Sequence, residues 1–290
     1  MPLAGAVGHA LLDHVAAPRR LQVPSADGRV AHAWFYPPTN PAVRAPAADL
    51  PPLLVLSHGG PTSSANPGLN LAVQFWTTRG FAVADVDYGG STGYGRAYRS
   101  LLDGAWGIVD VEDCVAVARA LVADGVVDGA RLAIRGGSAG GFTTLCALAF
   151  TDVFAAGASH YGVADLMALA ADTHKFESRY LDGLIGPYPA AKQTYVERSP
   201  IHYVEQLTVP LALFQGGEDK IVPPDQAEVM YEAVKARGIP TALVIFPEEG
   251  HGFRAAENIR VATEGELYFY GQVFGFTPHG EIATIEIANL

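Results

Sequence analysis

Ser138 stands in Gly136-Gly-Ser-Ala-Gly140, a G-x-S-x-G pattern extended by Gly141. Glycines two places either side of a serine let a strand turn sharply into a helix, holding the hydroxyl clear of the sheet on a strained backbone. The helix N-terminus behind such a turn favours developing negative charge. A serine is a weak nucleophile until a positioned base takes its proton, and on this kind of turn the partners follow in the order serine, acid, histidine. Three histidines lie far enough downstream: His202, His251 and His279. His251, in Glu248-Glu-Gly-His-Gly-Phe253, follows a strand pattern in a short glycine-flanked loop. His202 precedes the strand that should carry the acid, and His279 lies beyond the last helical pattern. His251 is therefore the base candidate. The acid falls in Gly216-Gly-Glu-Asp-Lys220, where Asp219 is chosen with Glu218 as the alternative, because two adjacent carboxylates on a tight loop point in different directions. Asp225 precedes a helical pattern and is explained by capping. The acid's task is to hold the imidazole tautomer and stabilise the imidazolium.

A tetrahedral intermediate needs hydrogen-bond donors for its oxygen. One is the backbone N–H of Ala139, directly after the nucleophile. The other is expected from His58-Gly-Gly-Pro61, where Gly60 is the choice. Losing one such donor costs about 3 kcal/mol of transition-state stabilisation. His58 is read as fixing this loop by hydrogen bonding, since no spaced partner makes it a metal ligand. The segment Asp87-Tyr-Gly-Gly-Ser-Thr-Gly-Tyr-Gly95 lacks both the Gly-Lys-Ser/Thr ending and the G-x-G-x-x-G spacing of phosphate-binding loops. It is read instead as a wall of a cleft. Tyr88, Tyr94, Phe142 and Tyr161 are the aromatic candidates for a substrate pocket that would suit small or apolar acyl groups.

These residues need a frame. Short apolar runs predict strands over residues 19–23, 30–36, 53–57, 81–87, 132–135, 155–160, 211–215 and 242–246. Longer amphipathic runs predict helices over 71–79, 109–123, 139–150, 225–237 and 256–274. Pro223 and Pro224 mark a helix start, Gly238 and Pro240 its stop. Strands alternating with helices imply a mostly parallel sheet covered on both faces. The first two strands, joined by a Ser-Ala-Asp-Gly turn, form an antiparallel edge. Every chemical candidate then falls at a carboxyl end of a strand, where open α/β sheets bind ligands. About forty residues from Asp165 to Val204 interrupt the alternation, with the polar run Asp172-Thr-His-Lys-Phe-Glu-Ser-Arg179, and are read as a cap or pocket wall.

The 290 residues are 49% hydrophobic and 17% charged, enough for a sizeable core in one domain. With 19 Lys and Arg against 30 Asp and Glu, the formal net charge is −11, which counts against nucleic acid as a partner. No apolar run reaches the length of about 18 residues that a membrane span needs. The first Lys or Arg is Arg19 and Asp13 interrupts the apolar start, against a signal peptide. Cys114 and Cys146, both in helical patterns, read as buried thiols of a cytoplasmic protein. No cofactor and no metal site is implied.

Together the blocks His58-Gly-Gly-Pro61, Tyr88-Gly-Gly-Ser-Thr-Gly-Tyr-Gly95, Trp106-Gly-Ile-Val-Asp-Val-Glu-Asp113, Gly136-Gly-Ser-Ala-Gly-Gly141, Ser199-Pro-Ile201, Gly217-Glu-Asp-Lys220 and Glu249-Gly-His-Gly252 resemble the catalytic domain of the prolyl oligopeptidase family of serine peptidases. Its acylaminoacyl-peptidase and dipeptidyl-peptidase-like members are the nearest in pattern. The resemblance implies an α/β-hydrolase fold over residues 19–276, with an N-terminal extension over 1–18 and a tail over 277–290. It assigns Ser138 as nucleophile, Asp219 as acid, His251 as base, and Gly60 and Ala139 as oxyanion donors. Many members have Tyr-Arg-Gly where this chain has Tyr88-Gly-Gly90, so no role of that arginine transfers. The family usually carries an N-terminal β-propeller that this sequence does not contain, which fits either a free-standing catalytic domain or part of a longer protein. An ungated cleft would expose apolar surface that self-association into a homo-oligomer would bury. The function expected is hydrolysis of peptide or acyl-amino-acid bonds through an acyl-enzyme; the alternative is a carboxylesterase or deacylase on the same fold. Equimolar fluorophosphonate should label the protein at Ser138, and peptide mapping of the adduct to another residue would refute that assignment.

Overall fold

The computed structural model describes residues 9–46, 48–172 and 179–290. Its strands are β1 (Arg19–Pro24), β2 (Val30–Tyr36), β3 (Leu53–Ser57), β4 (Ala82–Asp87), β5 (Leu132–Gly137), β6 (Ala156–His160), β7 (Leu211–Gly216) and β8 (Thr241–Phe246). The helices are α1 (His9–Leu12), α2 (Leu71–Thr77), α3 (Arg96–Arg99), α4 (Val109–Ala123), α5 (Ala139–Phe150), α6 (Leu166–Asp172), α7 (Tyr180–Leu184), α8 (Lys192–Arg198), α9 (Pro224–Ala236) and α10 (Ala256–Phe274). One sheet runs in the order β1-β2-β4-β3-β5-β6-β7-β8. The β1–β2 and β2–β4 pairs are antiparallel, and all pairs from β4 through β3 to β8 are parallel. This is the mostly parallel sheet that the alternation of strands and helices implies, in the α/β-hydrolase architecture that the family resemblance implies.

Parallel strands are buried on both faces, so their side chains alternate between two cores. Leu211 and Leu213 of β7 join a core with Trp106, Ile134, Leu145 and Met230, beneath α4, α5 and α9. Ala212 and Phe214 join the opposite core with Trp76, Phe81, Phe269 and Tyr270, beneath α2 and α10. Asn70 caps α2 by accepting the Ala72 N–H at 3.0 Å. That helix stops at Thr77 instead of residue 79, because Thr78 bonds back to the Gln74 carbonyl and Gly80 turns the chain at φ 91°. Strand β5 runs two residues beyond the predicted 135, carrying the ladder up to the residue before Ser138. Gly275 closes α10 in the left-handed conformation at φ 75°.

The chain on either side of these elements also packs. The Ala16 N–H donates to Gln74 Oε1 at 2.7 Å, and Ala16 is buried. Residues beyond α10 fold back along β8, where Thr241 and Ala288 exchange backbone hydrogen bonds of 2.8 and 3.0 Å. Ile282, Ile285 and Ile287 cover the α10 core there. Cys114 and Cys146 are free, buried thiols on α4 and α5. Among the described residues no helix is long and apolar enough to cross a membrane.

Phe269 projects from α10 into the core with no solvent exposure. Phe269→Ala should lower the unfolding free energy by about 3–5 kcal/mol, read from urea denaturation of the two proteins.

Candidate active site

Ser138 occupies the turn between β5 and α5 with φ 56° and ψ −120°, a conformation that side-chain-bearing residues rarely adopt. Its N–H donates to the His160 carbonyl at 3.0 Å, and its own carbonyl accepts the first helical bond from Phe142. The turn works only because its flanks lack side chains. A Cβ on Gly140 would sit 2.0 Å from the Ser57 carbonyl oxygen, and one on Gly136 would lie 2.3 Å from the Gly140 backbone. At Gly141 it would meet the Gly162 Cα at 2.5 Å.

Ser138 Oγ lies 2.8 Å from His251 Nε2, and His251 Nδ1 lies 2.8 Å from Asp219 Oδ2. The carboxylate accepts only, so the imidazole carries its proton on Nδ1 and turns Nε2 toward the serine as an acceptor. Asp219 is 4% exposed. Burial pushes its carboxyl up, but the hydrogen bonds from His251 and from the Val222 and Ile221 amides outweigh it and hold the group below the ordinary carboxylate range. Gln215 spans from Asp219 Oδ2 to the Val222 carbonyl and locks the loop. Glu218, the alternative acid, is exposed, as are Asp225, His202 and His279.

The loop carrying His251 has an anchor that the sequence did not single out. Glu249, 5% exposed, accepts the Arg254 and Ala255 amides and the Asn258 side chain at 2.8 to 3.0 Å. It thereby ties the loop to the start of α10. Its signal was available: an acid just ahead of a helix, two residues before the histidine.

Gly60 and Ala139 border a cavity of about 220 Å³ with Ser138 and His251. Its other walls include Trp106, Val163, Leu169, Leu181 and Val222, which the sequence did not identify as lining residues. The interrupting segment does supply a wall, through α6 and α7, although most of the polar run over 172–179 falls outside the described residues. Tyr180 on α7 bonds through its hydroxyl to the Thr62 N–H at 3.1 Å and to Thr62 Oγ1 at 2.6 Å, clasping α7 to the loop that carries Gly60.

Three of the four expected pocket aromatics lie elsewhere. Tyr88 is fully buried and stacked on His58 at 4.2 Å, its hydroxyl on the His58 carbonyl. Phe142 is fully buried against Trp106. Tyr94 bonds to Asp87 Oδ2 and stacks on His32. The first half of the glycine-rich segment is drawn into the core, where a Cβ on Gly89 or Gly90 would come within 2.6 Å of Val109 or Leu102, while Gly93 and Gly95 are exposed. Tyr161 alone of the four borders a cavity at Ser138, edge-on to the His251 ring at 5.1 Å. His58 is a loop brace: Nδ1 contacts the Gly59 carbonyl and Nε2 contacts Ser91 Oγ at 2.7 Å, while burial pushes its imidazole pKa down.

A second cavity, about 580 Å³, opens from Ser138 and His251 beneath α2. Part of its floor is a buried polar cluster. His160 Nε2 faces Glu266 Oε2 at 2.8 Å and Arg135 Nε lies 3.4 Å from Glu266 Oε1. Burial and then the neighbouring Arg135, whose Nη2 lies 3.2 Å from the same Nε2, both lower the His160 pKa. Burial alone would raise the Glu266 carboxyl, but Arg135 and then His160 bring it below its ordinary range.

With this geometry in place, comparison with known proteins identifies the lineage. Residues 67–277 match the prolyl oligopeptidase family, and the chain belongs to that family of serine-type peptidases. It is 34% identical over 230 residues to dipeptidyl aminopeptidase BIII of Pseudoxanthomonas mexicana, covering 76% of this chain and 33% of that enzyme. It is 29% identical over 218 residues to the acylamino-acid-releasing enzyme of Mus musculus, covering 71% of this chain and 29% of that enzyme. A puromycin-hydrolyzing peptidase of Mycobacterium tuberculosis superposes with a TM-score of 0.93 at 48% identity, over 96% of this chain and 42% of that one. The chain thus spans about a third of the length of these curated relatives.

The backbone at Ser138 gives a direct test of stored strain. Ser138→Gly should be about 1 kcal/mol more stable than Ser138→Ala, because both lose the hydroxyl but only glycine relaxes at this φ and ψ. Paired thermal melts read the difference, and equal stabilities would show no strain at the turn.

Proposed function

We propose that the chain is the hydrolytic unit of a serine peptidase that cleaves peptide or acyl-amino-acid bonds through an acyl-enzyme. The observation that carries this reading is the hydroxyl–imidazole–carboxylate chain, with 2.8 Å at each step. In this reading Ser138 Oγ attacks the carbonyl carbon as its proton passes to His251 Nε2. Asp219 holds the Nδ1 proton and stabilises the imidazolium. The amides of Gly60 and Ala139 take the oxyanion. His251 then delivers the proton to the leaving nitrogen, the amine departs, and the acyl group stays on the serine. Water repeats the sequence: it loses a proton to His251, attacks the ester, and Ser138 recovers its proton as the acid leaves.

The apolar walls of the 220 Å³ cavity, Val163, Leu169, Leu181 and Val222, suit a small or apolar residue on the acyl side. Similarity to an aminopeptidase, an acylamino-acid-releasing enzyme and a puromycin-hydrolyzing peptidase supports an amide-type substrate.

The test compares kcat/KM on N-acyl amino-acid anilides, free-amino dipeptidyl anilides and the matched esters. Anilide cleavage is expected, and Asp219→Asn should reduce its kcat by about 10⁴-fold through the wrong imidazole tautomer. Ester turnover with no cleavage of any anilide or peptide would overturn the peptidase reading in favour of a carboxylesterase or deacylase.

A further inference from the structure

The 580 Å³ cavity contains a group with no task in the chemistry described. Asp85 on β4 is 8% exposed and lines the cavity, yet among the described residues its carboxyl has no hydrogen-bond or ion-pair partner. A carboxyl that deeply placed and unpaired is costly unless something from outside meets it.

The sheet register locates it. Asp85 pairs with Leu56 of β3, which pairs in turn with Arg135 of β5. All three line the cavity. Asp85 and Arg135 therefore sit on one rung two strands apart, about 10 Å at the usual strand spacing. Arg135 makes no ion pair with Asp85; its guanidinium is set instead against Glu266 Oε1 at 3.4 Å and His160 Nε2 at 3.2 Å. With Arg135 set against Glu266, Asp85 is the acid in the cavity lining that, among the described residues, has no partner of opposite charge. Burial, and then the neighbouring Asp87, raise its pKa to about 7, so in the empty cavity the acid is held partly protonated and an entering cation would favour its carboxylate form. Trp76 and Asn70 of the α2 region line the same cavity.

The two cavities divide a substrate at Ser138. The smaller one is bounded by Gly60 and Ala139, the amides proposed to hold the carbonyl oxygen, and has apolar walls. The larger one leaves from Gly137, His251 and Gly252, on the β5 face that carries Arg135. A leaving nitrogen must lie against His251 Nε2, and the chain beyond it then has the larger cavity to enter.

We propose that this cavity is a leaving-group subsite selecting a residue with a long basic side chain, whose ammonium or guanidinium pairs with Asp85. The lateral distance from β5 to β4 requires a cation at the end of a long side chain, as in lysine or arginine. The leaving-group role rests on the peptidase reading; the cation site at Asp85 does not.

Two measurements separate them. The first compares wild-type kcat/KM on N-acyl-alanyl-lysine amide and N-acyl-alanyl-norleucine amide, which differ in the terminal cation. The second measures, by calorimetry, binding of lysinamide and norleucinamide to the Ser138→Ala protein, where no turnover is needed. A preference of about tenfold for the lysine compound is expected in both. In each case Asp85→Asn should bring the ratio to about one. Equal binding of the two amides overturns the proposal using only the protein that retains Asp85, whether or not the asparagine variant folds. A preference that survives Asp85→Asn, or one that appears only when lysine is moved to the acyl side, overturns it as well. Lysinamide selectivity without cleavage of either dipeptide would support the Asp85 site while refuting the peptidase reading. Cleavage of both with no preference would refute the Asp85 site and leave that reading standing.

Discussion

The structure depends on how closely the turn after β5 approaches β3. Gly140 passes so near the Ser57 carbonyl that no side chain fits between them, and Gly141 does the same against Gly162. This contact starts α5 immediately after the strand and forces Ser138 into its strained backbone angles. It also presents the serine at the level where the loops after β3, β7 and β8 meet. Any retreat of the helix would move the hydroxyl away from the imidazole, and the other two members of the chain could not compensate, because their own loops are pinned. Asp219 is held by two amides and Gln215, and the His251 loop is held by Glu249. The three groups are brought together by three independent rigid attachments to one sheet.

Much of this was legible in the amino-acid sequence, for identifiable reasons. Glycine is required where backbone meets backbone, so Gly136, Gly140 and Gly141 mark the turn without any structure in hand. Strand alternation and helix stops placed the eight strands to within two residues, since parallel strands are nearly continuous apolar runs. Ser138, Asp219 and His251 were singled out because each ends or follows such a run. The structure brings those three together, and leaves Glu218 facing solvent.

What escaped the sequence depended on side-chain direction. Tyr88 and Phe142 sit in loop and helix positions next to the site, but one points into the core under His58 and the other onto Trp106. Composition gives no direction to a side chain, and two adjacent glycines that look like an exposed loop serve here to let it sink against Leu102 and the start of α4. The cluster of Arg135, His160 and Glu266 was invisible for another reason. Its members lie on two strands and a helix more than 100 residues apart at the extremes, and only the sheet register puts them on one face. Asp85 was likewise hidden inside an apolar strand pattern.

The clasp between Tyr180 and Thr62 ties α7 to the loop after β3. Helix α7 is a side of the cavity of about 220 Å³ beside Ser138, while the loop on which Thr62 sits also carries Gly60. In the mechanism proposed above, a bulky occupant that prises α7 outward would drag that loop with it and withdraw the Gly60 amide from the carbonyl oxygen. An oversized guest would then be accommodated and left unreacted, and the enclosure would act as a gauge whose reading is passed straight to that chemistry.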